Sequence, residues 1–237
     1  MITAIVLAGG LGTRLRHVVP DLPKPMAPVR GRPFLEHQMD YWIEQGVERF
    51  ILSVGYRREA IMAHFGPRYR DARVDYAIED APLGTGGGLL KAVQSGELDA
   101  PFLVLNGDTF IEVELSALCR FHSDNRAVWT MALFRANEAG RYMGMQVEPD
   151  GRIRSLKSAS GRPGGLANGG AYWIDPNALR GLEFSNDRPL SLEDDILPEL
   201  AASGIALYGM ECAGRFVDIG VPDDYFLAAN ILPPDLS

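Results

Sequence analysis

An α/β fold on a largely parallel sheet, with helices over both faces, is what this chain predicts. Three observations carry the prediction. Short apolar, β-rich runs alternate with amphipathic stretches through roughly the first 110 residues, as βαβ units require. Glycine and proline punctuate the boundaries. The composition, 46% hydrophobic and 23% charged over 237 residues, is that of a globular chain able to bury a substantial core, and no repeat, low-complexity tract or linker divides it.

Ile5, Val6 and Leu7 open the first strand, which ends in Gly9, Gly10 and Gly12. Residues 33–45 start with proline, stop before Gly46 and place Leu35, Met39, Trp42 and Ile43 on one face, as a helix does. Residues 50–54, 74–78 and 102–105 are strands, with helices at 57–65 and 85–93 between them. The second half changes character. Residues 127–135 and 144–147 are strand-like. Pro149-Asp150-Gly151 is a turn signal and residues 152–156 return from it, so antiparallel strands extend the sheet. A loop at 158–165 and a strand at 171–174 follow. Residues 190–203 form a helix with Ser191 as N-cap and Asp194 three residues on. A strand at 205–210 and a helix at 222–230 complete the pattern.

A net charge of −8 argues against nonspecific nucleic-acid binding. Cys119 and Cys212 give neither a disulfide framework nor a metal-ligand spacing. No basic leader precedes the first strand, and no apolar run approaches the roughly 18 residues of a membrane span. A reduced, cytoplasmic protein without membrane partners is expected.

The chemistry begins at the glycine-rich loop. Glycine lets backbone approach a ligand closely, and backbone N–H groups with Arg14 beside them make an anion cradle. Lys24, between Pro23 and Pro25, is a second cation on a stiff segment. Two cations and a cradle suit a polyphosphate. A Walker A loop would end Gly-Lys-Ser/Thr, where this chain has Gly12-Thr13-Arg14. A dinucleotide fingerprint would have glycine where Leu15 stands. Asp108, in Asn106-Gly107-Asp108-Thr109, follows the strand 102–105, where open α/β sheets bind ligands. Its carboxylate suits Mg²⁺, or it is a turn aspartate serving local N–H groups. Asp218, between Val217 and Ile219, is awkward in a buried strand unless it meets a cation; its other role is to cap the helix near Pro222.

The combination of GGxGTRL with Pro23-Lys24-Pro25 resembles the sugar-phosphate nucleotidyltransferases, which join a nucleoside triphosphate to a sugar 1-phosphate and release pyrophosphate. The resemblance runs from Ile2 to about Asn230. It implies a Rossmann-like three-layer α/β/α sandwich with a mixed, mostly parallel sheet, of the GT-A-like kind. Residues 1–237 would form a single domain, 1–125 binding the nucleotide and 126–237 the sugar phosphate, without the carboxy-terminal β-helical domain of some relatives. It implies Leu7, Ala8, Gly9, Gly10, Gly12, Thr13 and Arg14 around the triphosphate, and Asp108 and Asp218 as Mg²⁺ ligands. Gly84 and Thr85, in a second glycine-rich loop, would meet the nucleobase, or Thr85 would cap a helix. Glu79 matches the family's acid in this stretch, or is a solvated loop charge. Asn106, Tyr142, Gly144, Asn168, Gly169 and Glu193 fall where the family meets the sugar phosphate, the Asn168-Gly169-Gly170 run preceding a strand. Glu193 would accept from sugar hydroxyls, or favour a helix N-terminus.

Two departures concern the sugar side. The family's Glu-Lys pair, whose lysine grips the sugar phosphate, is Ser158-Ala159 here, leaving Lys157 as the substitute with Arg154 and Arg162 behind it. The Tyr-Gly pair is spread over Tyr142-Met143-Gly144. The implied reaction is in-line attack by a sugar-phosphate oxygen on the α-phosphorus. Arg14 would hold the leaving pyrophosphate, Lys24 would draw the reacting phosphates together, and no general base is needed. The run of motifs most resembles the D-glycero-α-D-manno-heptose 1-phosphate guanylyltransferases, implying GTP as donor. Mannose 1-phosphate guanylyltransferases and uridylyl- or thymidylyltransferases share most of it, and a noncatalytic sugar-nucleotide-binding regulator keeps part of it. Such enzymes are often dimers or tetramers; the sequence leaves a homo-oligomer open.

Overall fold

The computed structural model describes residues 1–10, 12, 15, 17–136, 142, 144–158, 164–180, 182 and 188–234, with backbone only for Lys157 and Ser158. The chain runs β1 (Ile2–Leu7), a 3-10 turn (Lys24–Met26), a hairpin of β2 (Pro28–Val29) and β3 (Arg32–Pro33), α1 (Phe34–Glu44), β4 (Val47–Val54) and α2 (Arg58–Phe65). Next come β5 (Arg68–Tyr69), β6 (Ala72–Ile78), α3 (Gly84–Gly96), β7 (Phe102–Asn106), β8 (Thr109–Ile111) and α4 (Leu115–Asp124). The second half holds β9 (Trp129–Ala136), β10 (Gly144–Val147), β11 (Ile153–Ser158), β12 (Gly165–Ile174), α5 (Leu197–Ala202), β13 (Tyr208–Glu211), β14 (Phe216–Asp218) and α6 (Pro222–Ile231).

Ten strands share one sheet, in the order β11-β10-β12-β7-β1-β4-β6-β5, with β9 pairing β12 and β13. β7, β1, β4 and β6 are parallel. β12 joins β7 antiparallel, and β9 and β10 join β12 antiparallel. The sheet is mixed and mostly parallel at its centre, as expected.

Alternation along the strands explains the layers. In β1, Ala4 and Val6 pack with Leu35, Met39 and Trp42 of α1, while Ile5 packs with Leu89 and Ala92 of α3. Side chains of period two thus serve opposite faces. Both faces are covered, so the central strands read as unbroken apolar runs. A third cluster joins Leu15, Val29, Phe34, Phe110, Val217, Ile219 and Ala228 beneath the two-stranded β8–β14 ladder. Among the described residues, no helix is long and apolar enough to cross a membrane.

Some elements differ from expectation. α4 was not anticipated, although Leu115, Leu118 and His122 recur at helical spacing and are its buried face. β12 starts at Gly165, not 171, because residues 165–168 pair with β9 in spite of two central glycines. The run at 190–203 is a π-helical turn (Leu192–Ile196) leading into α5. Pro198 lacks the N–H that would donate to residue 194 in an α-helix. Ser191 is the expected cap: Asp194 N donates to its Oγ at 3.0 Å. Residues 205–207 precede β13 rather than belonging to it.

Candidate active site

At the carboxyl ends of β1, β6 and β7 the chain encloses a cleft of about 690 Å³. Leu7, Ala8, Gly9, Gly10 and Gly12 line it after β1, Glu79 after β6, and Asn106, Asp108 and Thr109 after β7. The second half contributes Tyr142, Asn168, Glu193, Phe216 and Asp218. This is the edge where parallel sheets bind ligands.

The first loop is pinned on both sides: Ala8 N donates to Ser53 O at 2.8 Å and Gly107 N to Leu7 O at 3.0 Å. A Cβ at Gly10 would meet nothing within 4 Å, so bare backbone faces the cleft there. Gly12, at φ +60°, turns the chain beside the Lys24 stem. Among the described residues no helix follows before Lys24. Thr13 and Arg14 lie outside the described residues.

Lys24 sits on the first turn after extended Pro23, where Met26 N bonds Pro23 O at 2.8 Å, with Pro25 and Met26 buried as its footing. Its ammonium lies 2.6 Å from Asp108 Oδ2, at 11% exposure against 32% for the carboxylate. Asp108 therefore serves a cation, not a turn N–H. The β8–β14 ladder places Asp218 opposite Thr109, and Ile219 N bonds Asp108 O at 2.9 Å. A Cβ at Gly220 would stand 2.6 Å from Lys24 Nζ, 2.7 Å from Asp218 Oδ1 and 3.5 Å from Asp108 Oδ2. Two carboxylates and one ammonium thus surround a point only glycine leaves open. Asp218 is not the cap of α6; that position is Val221. No cluster of three or more acidic, histidine or cysteine ligands exists among the described residues. A pair of carboxylates at the end of an open cleft nevertheless fits a hard divalent cation that takes its remaining ligands from a bound substrate and water. Arg215 braces the ladder through two 2.9 Å bonds to Glu112, which hold that carboxyl below its usual range.

Glu79, in the loop after β6, is not a solvated charge. It is buried at 7% exposure, accepting from Ser53 Oγ at 2.8 Å and Leu83 N at 3.1 Å. Side chains at Gly9 or Gly88 would collide with it. The glycines of the second loop also serve packing. Gly84, at φ +76°, lies against the Leu190 backbone, and Gly86 against Ser191 and Ile196. Gly86 N bonds Leu190 O at 2.9 Å, and Leu190 N bonds Leu83 O at 2.7 Å. Thr85 does not cap α3, whose N-cap position is Leu83; its Oγ1 accepts from Leu192 N at 2.8 Å, the first N–H of the π-helical turn, and donates to Glu193 Oε2 at 3.3 Å.

In the second half, Asn168 lies within β12 at an irregularity of register, with Gly170 at φ +76°. Its amide donates to Tyr172 Oη at 2.6 Å, and its oxygen accepts from Gly170 N at 3.1 Å. Tyr172 Oη in turn reaches Glu193 Oε1 at 3.4 Å. Burial, with Glu193 beside it, pushes the Tyr172 hydroxyl well above the usual phenol range and keeps it a neutral donor. Gly144 is buried in β10 and Gly169 packs against Ile111; neither lines the cleft. The side chain of Lys157 lies outside the described residues, as do Ala159 and Arg162, and Arg154 pairs with Glu148 at 3.6 Å.

Sequence reasoning missed Gln38, Ser53 and Tyr172. Gln38 Nε2 donates to Asn106 O at 3.0 Å and Thr109 O at 2.7 Å, closing the turn that carries Asp108 from below. A polar residue inside the apolar face of α1 was the signal that could have found it.

The chain is 40% identical over 222 residues to the D-glycero-alpha-D-manno-heptose 1-phosphate guanylyltransferase of Aneurinibacillus thermoaerophilus, covering 94% of each chain. It is 35% identical to the enzyme of the same name from Campylobacter jejuni, covering 94% of this chain and 96% of the relative. The crystal structure of HddC from Yersinia pseudotuberculosis complexed with GMP-PN superposes with a TM-score of 0.81 at 32% identity, over 97% of this chain and 99% of that one. The nucleotidyl transferase family model matches residues 3–233. The chain belongs to the nucleotidyl transferase family and is a sugar 1-phosphate nucleotidyltransferase.

Proposed function

We propose that this enzyme transfers the guanylyl group of GTP to D-glycero-α-D-manno-heptose 1-phosphate, giving the GDP-sugar and pyrophosphate. The convergence of Lys24, Asp108 and Asp218 at one end of the cleft carries the reading. A phosphate oxygen of the sugar attacks the α-phosphorus, and the bond to the β-phosphate oxygen breaks. The nucleophile is already an anion, so the step needs no proton acceptor. In keeping with this, none of the four histidines lines the cleft; His37 and His122 are buried against Val29 O and Thr130.

The residues have separate tasks. The bare backbone of Gly10 and the Lys24 ammonium receive phosphate oxygens, and Arg14 is assigned to the pyrophosphate. Lys24 leaves Asp108 for the reacting phosphates, lowering their mutual repulsion. Asp108 and Asp218 would hold Mg²⁺, which supplies Lewis-acid stabilisation of phosphate charge when bound. Glu79 is an acceptor-only carboxylate on the base side, and guanine presents two N–H donors along one edge. Asn168, Tyr142 and Glu193 address sugar hydroxyls. We assign residues 1–125 to the nucleotide and 126–237 to the sugar phosphate, and place the reaction in the cytoplasm, where Cys119 and Cys212 stay free thiols.

The test is pyrophosphate release over four nucleoside triphosphates and a panel of sugar 1-phosphates with Mg²⁺. GTP with the heptose 1-phosphate is expected to give the highest kcat/KM. A different best pair would replace the substrates, and silence across all pairs with binding retained would sink catalysis.

A further inference from the structure

A side pocket of about 100 Å³ adjoins the cleft and shares Tyr142, Asn168 and Glu193 with it. Its remaining walls, Met145, Leu156, Ala167 and Leu197, do not line the cleft. The pocket therefore has a polar rim and an apolar floor. It has room for about three water-sized groups at about 30 Å³ each. Behind it, Leu156 also lines a separate groove of about 450 Å³, so this side chain is the partition between the two spaces.

The rim decides what enters. Among the described residues the Glu193 carboxylate accepts at the long end of hydrogen-bond distance: Thr85 Oγ1 at 3.3 Å, Ser191 Oγ at 3.4 Å and Tyr172 Oη at 3.4 Å. It retains capacity for stronger donors. A carboxylate at the mouth repels phosphate and attracts hydroxyls, so this end takes the sugar and not its phosphate. A short polyol chain has the matching character, with C–H faces for the floor and hydroxyls for the rim.

Resting on the heptose reading above, we infer that this pocket receives the exocyclic carbon chain of the sugar and selects the two-carbon chain of a heptose over the single carbon of a hexose. Leu156 and Met145 set its depth, and Glu193 accepts from the chain's hydroxyls. One added group in a shaped pocket is worth about 10- to 200-fold in discrimination.

The test compares wild type with Leu156→Phe and Met145→Phe, which shorten the pocket. Calorimetry gives the affinities for GDP-heptose and GDP-mannose, GTP binding serves as the control for folding, and wild-type turnover is measured with both sugar 1-phosphates. Filling the pocket is expected to lower the ratio of GDP-heptose to GDP-mannose affinity about tenfold or more. An equal loss for both overturns the inference while leaving the heptose reading intact. Wild-type enzyme inert with heptose 1-phosphate overturns both. If Leu156→Phe loses GTP binding, Met145→Phe decides.

Discussion

Asp108 shows what a single side chain does here. Its carboxylate is held on a turn that Gln38 closes from below and is met by Lys24 from the side. Asp108→Asn preserves the shape of that turn and removes the charge. It is expected to fold normally and to lose at least about a hundredfold in turnover, the scale of a lost electrostatic stabiliser. Near-normal turnover at saturating Mg²⁺ would take Asp108 out of the metal site. Glu79 gives a second residue-scale prediction. Glu79→Gln keeps the volume between Gly9 and Gly88 but places a donor where the proposed guanine contact requires an acceptor. The GTP-to-UTP ratio of kcat/KM should fall about tenfold or more, measured at fixed sugar 1-phosphate. The charged and glycine-rich site was legible because Lys24, Asp108 and Asp218 stand in motifs with distinctive neighbours. Glu79 was legible as a position but not as an environment: burial depends on Ser53 and Leu83 arriving from other elements. Gln38 was overlooked because its partners, Asn106 and Thr109, are distant in sequence, and Tyr172 because the irregular register of β12, not residue spacing, brings its hydroxyl to Asn168.

At the scale of elements, the parallel strands were readable because burial on both faces forces continuous apolar runs. The first part of β12, residues 165–170, was not, because its glycines answer to close packing against Ile111, Thr109 and Asn106 rather than to a turn. α4 was overlooked for the opposite reason, a polar face masking a narrow apolar one. That helix carries His122, buried, with Nδ1 2.9 Å from Thr130 Oγ1 of β9. Burial lowers its pKa from the ordinary 6.5, with Asp175 opposing the shift. The folded state thus binds its proton less readily than the unfolded chain. The contribution is full above pH 6.5 and is lost as pH falls below that value. Denaturant titrations from pH 8 to 5 should show wild-type stability falling through this window, by at most about 1.4 kcal/mol per pH unit from this group. His122→Gln should flatten that slope. An unchanged slope would assign the effect to other groups.

At the scale of the molecule, one sheet crosses both halves: β12 of the second half hydrogen-bonds β7 of the first through four residue pairs. Burial is also shared, with Trp129 and Tyr172 packed in the same cluster as Ile5 and Leu89. The two halves are therefore expected to unfold together. Tryptophan fluorescence from variants keeping only Trp42 or only Trp129 should melt at the same temperature as the far-UV circular dichroism. Separate midpoints would show that the boundary near residue 125 divides independent domains. Charge is also organised at this scale. The net charge is −8, yet the substrates are anions, so local cations must hold them against the overall field.

The clasp between the second glycine loop and residues 190–192 has a thermodynamic consequence. Leu83, Gly84 and Gly86 are bonded or packed to Leu190, while Thr85 reaches both Leu192 and Glu193. The clasp thereby ties the loop proposed for the nucleobase to Glu193, the acid proposed for the sugar. Any coupling carried through it is reciprocal by linkage: whatever factor the nucleotide applies to the affinity for the sugar phosphate, the sugar phosphate applies equally to the affinity for the nucleotide.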